Sequence, residues 1–300
     1  RDVRRLARED GTFALRDLAP GPVRLRVTRI GHTPAETTLT LAPGVTRLRI
    51  ELRRLVLQLP KVVVTGACTD RTPVEGQPGP LAALLDQVRE NAERMRLLAR
   101  ERPFVLQVVG VGGARGADGR IIGAARVDTT VRGPLPPTPY APGRVVRPGT
   151  GAYAGRTVVT LPEVTDLADT AFTNHHCLWY AGQERFGSDS VIRVDFAPVP
   201  WLAREIDLEG SIYLRVDGYR LVGLVTRLNR IPAGLRTLAA YTVRARFREL
   251  VGDVPVLAEW ELTNTFRGNA PPWVQTGRVV GVQWPDSSAP GRDTLARTRR

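Results

Sequence analysis

Three consecutive residues, His175, His176 and Cys177, are the clearest candidates for metal ligands. Imidazole and thiolate groups bind zinc well, but a zinc site normally uses three or four protein ligands. The surrounding pattern predicts a β-strand, in which consecutive side chains point to opposite faces, so at most His175 and Cys177 could share a site. His32 is the only other histidine, and the sequence has no His-x-x-Glu pair. We therefore expect no metal centre and no cofactor.

The serines and carboxylates form no recognisable catalytic motif. Ser188 and Ser190 lie in the segment GSDS, without the Gly-x-Ser-x-Gly elbow of many hydrolases. Three carboxylates of the same region have no evident partner: Asp195, Asp207 and Glu209. We therefore expect a protein that is not an enzyme. The alternative is a hydrolase whose site forms only in the folded chain, with His175 or His176 beside a carboxylate and a serine.

The glycine-rich segment 110–116 is similar in composition to a phosphate-binding loop. Such a loop is followed directly by a helix N-terminus, whose amides and dipole bind the phosphate. Here the turn pair Asp118–Gly119 and an apolar strand pattern over 121–132 follow instead. The segment is therefore predicted to belong to a β-hairpin.

The chain is strongly basic, and arginine carries the charge. The net charge is +13 at pH 7, and Lys61 is the only lysine. The arginines are dispersed and often alternate with apolar residues, which is typical of solvated strand faces. The alternative is a surface for a polyanion or an anionic membrane, although nucleic-acid binders normally cluster their basic residues. The tryptophans are expected to be core and rim residues: Trp179, Trp201, Trp260, Trp273 and Trp284.

Cys68 and Cys177 are the only cysteines. In a reducing cytosol they would be unrelated thiols, whereas in an oxidising compartment a single pair favours a disulfide. A bridge would close a loop of over a hundred residues, for which the chain-entropy model gives about 4–5 kcal/mol of stabilisation. We predict that this Cys68–Cys177 disulfide forms.

One long amphipathic helix is predicted over 81–102. Its apolar residues recur at steps of three and four, and they form a single stripe: Leu81, Leu84, Leu85, Val88, Ala92, Met95 and Ala99. Pro80 suits the first turn of a helix, and Pro103 ends it. Because such a stripe must be buried, we expect the helix to lie on a sheet formed by the residues that follow.

The first 66 residues alternate short strand patterns with turn pairs, and strands are predicted over 13–16, 23–28, 36–41 and 46–53. The Asp-Gly-x-Phe motif at Asp10–Phe13, the Pro20–Gly21 turn and Gly31 resemble the second half of a carboxypeptidase regulatory-like domain. In that family an aromatic residue usually stands where this chain has His32. The resemblance implies a transthyretin-like β-sandwich that lacks its first strands, and an exported protein.

After Phe104 the pattern predicts a long antiparallel meander. A hairpin over 104–111 and 121–132 precedes an irregular loop over 133–155, a short strand over 158–161 and a helical turn within 162–170. Seven further strands are then predicted: 174–181, 191–196, 210–216, 219–228, 239–250, 256–265 and 274–284.

The stretch from Phe196 to Pro232 resembles the middle of envelope half-barrel proteins of the lipoprotein-carrier type. The residues that carry the resemblance are Phe196, Pro198, Gly210, Ile212, Tyr213 and Asp217. The run FTNHHC, residues 172–177, is also similar to a Phe-x-x-x-His-Cys run of bacterial proteins that join a regulatory-like module to such a β domain. Neither resemblance implies catalytic residues.

Together these patterns predict a mainly β protein. We expect an incomplete antiparallel β-sandwich (1–66), a linker (67–79), a curved antiparallel sheet or half-barrel packed on one helix (80–284), and a disordered tail (285–300). The expected function is that of a binding or scaffold protein of the periplasm, the outer membrane or the extracellular space. Its partner would be an apolar ligand between helix and sheet, or another envelope protein. The chain begins at Arg1, and a signal segment is expected to be missing from it.

The disulfide is testable by mass spectrometry without reduction. We expect protein recovered from its native compartment to yield one peptide pair joined through Cys68 and Cys177. A Cys177→Ser variant, which retains Cys68 but cannot form the bridge, is the control. Two free thiols in the wild-type protein would contradict the prediction.

Overall fold

The computed structural model describes residues 3–59, 79–133, 140–150, 154–155, 157–249 and 254–284, with the backbone alone for 123–132. Within these ranges the chain forms thirteen β-strands and two α-helices. The mainly β class is therefore confirmed. The predicted tail, Cys68 and all of the linker except Gly79 lie outside the described residues.

The elements follow one another in a simple order. The strands are β1 (Gly21–Val27), β2 (Ala35–Leu41), β3 (Val105–Arg115), β4 (Ile121–Arg132), β5 (Val146–Pro148), β6 (Thr157–Val159), β7 (His176–Phe186), β8 (Asp189–Pro198), β9 (Leu208–Arg215), β10 (Leu221–Leu228), β11 (Leu238–Glu249), β12 (Pro255–Phe266) and β13 (Trp273–Gln283). The helices are α1 (Pro80–Glu101) and α2 (Thr170–Thr173).

A curved nine-stranded antiparallel sheet dominates the fold. Its order is β4-β3-β13-β12-β11-β10-β9-β8-β7. The strands from β7 to β13 are therefore neighbours both in the chain and in the sheet, as the predicted meander requires. The β3–β4 hairpin extends the sheet beyond β13, because β3 pairs with β13. Several glycines of segment 110–116 lie inside β3, so the predicted hairpin is confirmed, with a longer first strand than expected.

Helix α1 agrees with its prediction to within one residue at each end. Its buried arc is wider than the predicted stripe, because Gln87, Asn91, Leu97 and Leu98 are buried as well. The N-terminal part of the chain covers Gln87, whereas Asn91 faces the β9–β10 turn and Leu98 packs in a cluster with residues of β3.

The N-terminal residues do not form the predicted sandwich. Between residues 3 and 59 the structure has one two-stranded hairpin, β1–β2, and an isolated bridge between His32 and Arg54. The stretches 13–16 and 46–53 form no strand. Phe13 and Leu48 are 40% and 44% exposed, so their alternation has no apolar surface to pack against. No family model supports the carboxypeptidase regulatory-like resemblance.

The hairpin region is docked on α1 by specific contacts. The Gly31 amide donates to Gln87 Oε1 at 2.7 Å, and the Thr28 hydroxyl to Glu90 Oε1 at 2.7 Å. Gly31 has a φ of +77°, and a Cβ there would lie 3.0 Å from the backbone of Gly218. Glycine is therefore required where this loop meets the β9–β10 turn.

Asn91 joins the helix to the sheet. Its side chain is fully buried, accepts from the Leu221 amide at 3.1 Å and donates to the Tyr219 carbonyl at 3.2 Å. Tyr219 lies just before β10, and Leu221 is its first residue. The helix side chain thus makes the hydrogen bonds that a neighbouring strand would otherwise make with these two backbone groups. A buried amide whose hydrogen bonds are all made is compatible with an apolar core. Removing it would leave both backbone groups buried without a hydrogen-bond partner.

We predict that Asn91→Ala lowers the free energy of unfolding by about 2–6 kcal/mol, because a buried donor and acceptor each lose their partner at about 1–3 kcal/mol. Urea denaturation monitored by circular dichroism measures the change. Arg89→Ala on the exposed side of the same helix is the control, and its loss should stay within about 0.5 kcal/mol. Equal losses in the two variants would contradict the assigned role of Asn91.

Candidate ligand-binding site

The apolar core between α1 and the sheet is divided into two clusters. The first cluster joins the N-terminal half of α1 to the inner face of β7–β11, with Phe172, Phe196 and Ile212 among its fully buried members. The second cluster joins the C-terminal half of α1 to β3 and β12. It comprises Met95, Leu98, Phe104, Leu106, Val108, Val254 and Val256.

A small cavity lies where the two clusters meet. Its apolar walls are Met95 and Leu106 of the second cluster, with Val164, Phe247 and Leu257 on the side of the first. Glu163 and Thr165 lie at its margin. Its volume is about 10 Å³, roughly the space of a single water molecule. The helix–sheet interface is closed at this point.

Residues 140–150 and 157–175, which we call the cover segment, lie over the inner face of the sheet beside α1. Five of its side chains are buried in the first cluster: Tyr140, Val145, Val164, Leu167 and Phe172. The predicted irregular loop contains β5, which pairs with β6 in a short antiparallel ladder. The predicted helical turn is present as a 3-10 turn at Asp166–Ala168, followed by α2.

One end of the cover segment is bound to the sheet through Asp207, which is fully buried. The Tyr140 hydroxyl donates to both carboxyl oxygens of Asp207, at 2.8 and 2.9 Å, and the Gly143 amide donates at 2.8 Å. The Leu208 amide donates to the same carboxyl group at 2.7 Å. Burial and the Asp207 charge raise the pKa of Tyr140, so the phenol remains a donor.

The other end of the cover segment is bound to α1. The Arg96 guanidinium donates to the Thr165 carbonyl and lies 3.7 Å from Asp169. Asp166 accepts from the Glu163 amide at 2.9 Å, which shapes the turn beside the cavity. Polar contacts therefore hold the cover segment on either side of the cavity.

His176 is buried in an aromatic cage, far from the two serines considered as nucleophiles. Its ring stacks on Phe172 at 4.1 Å, and its nitrogens lie 3.0 Å from the carbonyls of Phe172 and Leu208. Nε2 is 3.9 Å from Asp207, beyond hydrogen-bonding distance, and both side chains are fully buried. Ser188 and Ser190 lie at the opposite end of the β7–β8 hairpin. The folded chain thus does not bring these groups together as a hydrolase would require.

The other candidates for chemistry are held by structural contacts. His175 is bonded to the Ala171 carbonyl at 2.8 Å, and His32 lies in the N-terminal region. Among the described residues, no three His, Cys, Asp or Glu side chains are grouped as metal ligands. Asp195 accepts from Ser211 at 2.6 Å, and Glu209 pairs with Arg227 at 2.6 Å.

The cysteine prediction remains open to test. Cys177 is 2% exposed in β7, and the part of the chain that the structure describes contains no free cysteine. Because Cys68 lies outside the described residues, its pairing with Cys177 stays a prediction.

The tryptophans take different roles. Trp260 packs over Gly277, where a Cβ would lie 2.3 Å from its ring nitrogen. Trp284 packs on Phe104 with ring centroids 5.0 Å apart, and Arg102 lies over its ring. Trp179 is half-buried beside Asp195, whereas Trp201 and Trp273 are exposed. Trp179, Trp260 and Trp284 are thus partly buried, whereas Trp201 and Trp273 are exposed to solvent.

Burial lowers the pKa of His176 below 6.5, although the Asp207 charge and the two carbonyls oppose the shift. The unfolded chain then binds more protons than the folded chain below pH 6.5. We predict that the free energy of unfolding decreases on acidification from pH 7.5, as the pH falls through 6.5 towards the folded-state pKa. The total decrease is about 1.4 kcal/mol for each unit by which folding lowers the pKa of His176. Urea denaturation at a series of pH values measures this loss.

A His176→Gln variant is the reference, because its amide does not titrate. Burial raises the pKa of Asp166, which favours the folded state as the pH falls, and the comparison cancels this opposite effect. If acidification stabilised the wild type relative to the variant, His176 would instead be an imidazolium paired with Asp207.

Comparisons with known proteins gave distant similarities to two solved structures. No protein-family model matches the chain, and no curated protein matches it. A LolA superfamily protein from Nitrosomonas europaea is 12% identical, with a TM-score of 0.33 over 67% of this chain and 94% of that chain. A DUF1329 family protein from Desulfovibrio piger is 8% identical, with a TM-score of 0.36 over 68% of this chain and 95% of that chain.

Proposed function

We propose that this chain is a non-enzymatic binding protein of the cell envelope that holds an apolar ligand between α1 and the inner face of the curved sheet. The observation that carries the proposal is the division of the core into two apolar clusters, with a cavity at their junction. A single tightly packed core would have no such junction.

The chemistry of the cavity favours an apolar ligand. Most of the lining is apolar, from Met95, Leu106, Val164, Phe247 and Leu257, and Glu163 and Thr165 complete it. Transfer of apolar surface from water to such a site contributes about 25 cal/mol for each Å² buried. Met95 is also a flexible side chain that can repack around an irregular guest.

A ligand larger than one water molecule requires the cover segment to move. The contacts nearest to the cavity are polar and few, namely those of Arg96 with Thr165 and Asp169. The Asp207 contacts lie at the other end of the segment and can remain in place as a hinge. In this proposal the described geometry is the closed form of the site, and the Val164 side chain fills part of the space that a ligand would occupy.

A scaffold is the second candidate, and the tight closure of the helix–sheet interface favours it. In this alternative the cavity is a packing defect, and the surface of the protein contacts another envelope protein. The two candidates differ in one measurable property, which is the capacity of the core to admit an apolar molecule.

We predict that the full chain binds the fluorescent probe N-phenyl-1-naphthylamine, and that Met95→Ala binds it more tightly. The truncation enlarges the cavity and is expected to cost about 2–5 kcal/mol of stability. Fluorescence titration measures the probe affinity, and competition with a long-chain fatty acid identifies the site. Val191→Ala is the control, since Val191 is fully buried in a cluster on the outer face of the sheet.

Binding that increases in Met95→Ala alone, and that a fatty acid displaces, would support the ligand site. Absence of probe binding by both the wild type and a folded Met95→Ala protein would overturn it and leave the scaffold. Equal changes in Met95→Ala and Val191→Ala would place the probe outside the cavity and contradict the proposal.

A further inference from the structure

Four connections meet at one end of the large sheet, because alternate loops of an antiparallel meander lie on the same side. They are the β3–β4 turn (116–120), the β8–β9 loop (199–207), the β10–β11 loop (229–237) and the β12–β13 loop (267–272). We call this end the loop rim. Residue 144 of the cover segment belongs to it as well, since neighbouring Gly143 packs beside Glu205.

Large apolar side chains are exposed on the loop rim. Trp201 is 65% exposed at the tip of the 3-10 turn Pro200–Leu202. Trp273 and Ile122, where β13 and β4 begin, are 43% and 49% exposed. Both tryptophans that the structure leaves exposed are therefore at the same end of the sheet. The Leu202 amide donates to the Val199 carbonyl at 2.8 Å, so a bonded turn presents Trp201 to solvent.

The loop rim also carries six exposed arginines for which the described residues provide no carboxylate partner. They are Arg120, Arg144, Arg204, Arg230, Arg236 and Arg267. The guanidinium groups of Arg230, Arg236 and Arg267 donate only to backbone carbonyls, which leaves their charge uncompensated. Asp118 and Glu205 are the only exposed acidic residues of these loops.

The outer face of the sheet has the opposite character. Arg193 lies 2.9 Å from Glu184 and 3.1 Å from Asp195. Arg227 pairs with Glu209, and Arg246 with Glu259. Several arginines of this face are thus paired with carboxylates, whereas the six arginines of the loop rim have no such partner among the described residues.

We infer that the loop rim docks on an anionic phospholipid surface. Tryptophan favours the interface between lipid headgroups and water, and each arginine near an anionic bilayer contributes to attraction. No helix among the described residues is long and apolar enough to cross a membrane, so this contact is peripheral. The inference does not depend on the proposed ligand site.

The arrangement fits a lipid surface better than a nucleic acid. Proteins that bind single strands line a basic groove with aromatic side chains on which successive bases stack. Here Trp201 lies in the loop before β9, and Trp273 is the first residue of β13. Four inter-strand spacings separate β9 from β13, which is roughly 20 Å along a flat sheet. A row of separate loop tips is suited to a planar surface.

Co-sedimentation of the full chain with lipid vesicles tests the inference. We expect binding to vesicles of phosphatidylcholine with 30% phosphatidylglycerol, little binding to pure phosphatidylcholine, and release at about 1 M NaCl because the Debye length is then near 3 Å. At low salt, Arg120→Gln/Arg204→Gln should weaken binding about 25-fold, or about fivefold for each arginine. Trp201→Ser should weaken it several-fold.

The charge-matched control is Arg26→Gln/Arg54→Gln, whose wild-type side chains are 63% and 75% exposed away from the loop rim. It should weaken binding by less than threefold, and circular dichroism should show that all variants are folded. Equal losses in the rim and control variants would overturn the assignment of the rim. Binding independent of phosphatidylglycerol, or tighter binding to single-stranded or duplex DNA, would overturn the lipid surface as its target.

Discussion

The burial of α1 is the interaction on which the rest of the structure depends. The curved sheet covers one side of the helix, and the hairpin region and cover segment cover the others. An amphipathic helix of this length is marginal alone in water, and packing supplies most of its stability. Because three parts of the chain meet on the helix, the polar residues Gln87 and Asn91 are buried in specific hydrogen bonds rather than exposed. The helix therefore determines where the β9–β10 turn and the N-terminal loop lie.

Buried polar groups determine how the inner face of the sheet is covered. Asp207 lies directly before β9 and accepts hydrogen bonds from Tyr140 and Gly143 of the cover segment. A buried carboxyl group without such donors would be strongly destabilising, so the contact holds the segment in one position. The cavity lies towards the other end, where Arg96 makes the nearest polar contacts. This difference between the two ends is what makes movement around Val164 physically reasonable.

Charge is distributed according to the topology of the sheet. Cross-strand neighbours on the outer face place arginines opposite acidic residues, as in Arg227 and Glu209. The loops of the loop rim have no such register, and their six exposed arginines have no carboxylate partner among the described residues. The same loop that carries exposed Trp201 ends at buried Asp207. The loop rim and the anchor of the cover segment are therefore adjacent in the structure, although they present opposite environments.

The sequence by itself determined the elements with a clear local period. The helix was predicted to within one residue, and the seven strands from β7 to β13 were predicted in order, because periods of 3.6 and 2 are properties of short segments. The failed prediction, a sandwich over 1–66, shows the limit of this signal. Leu48 alternates with arginines as a strand would, but alternation alone supplies no partner strand. Only the tertiary structure decided that β3 joins β13, that His176 and Asp207 are buried side by side, and that six exposed arginines meet on the loop rim. These features depend on contacts between residues far apart in the chain, which local periodicity does not encode.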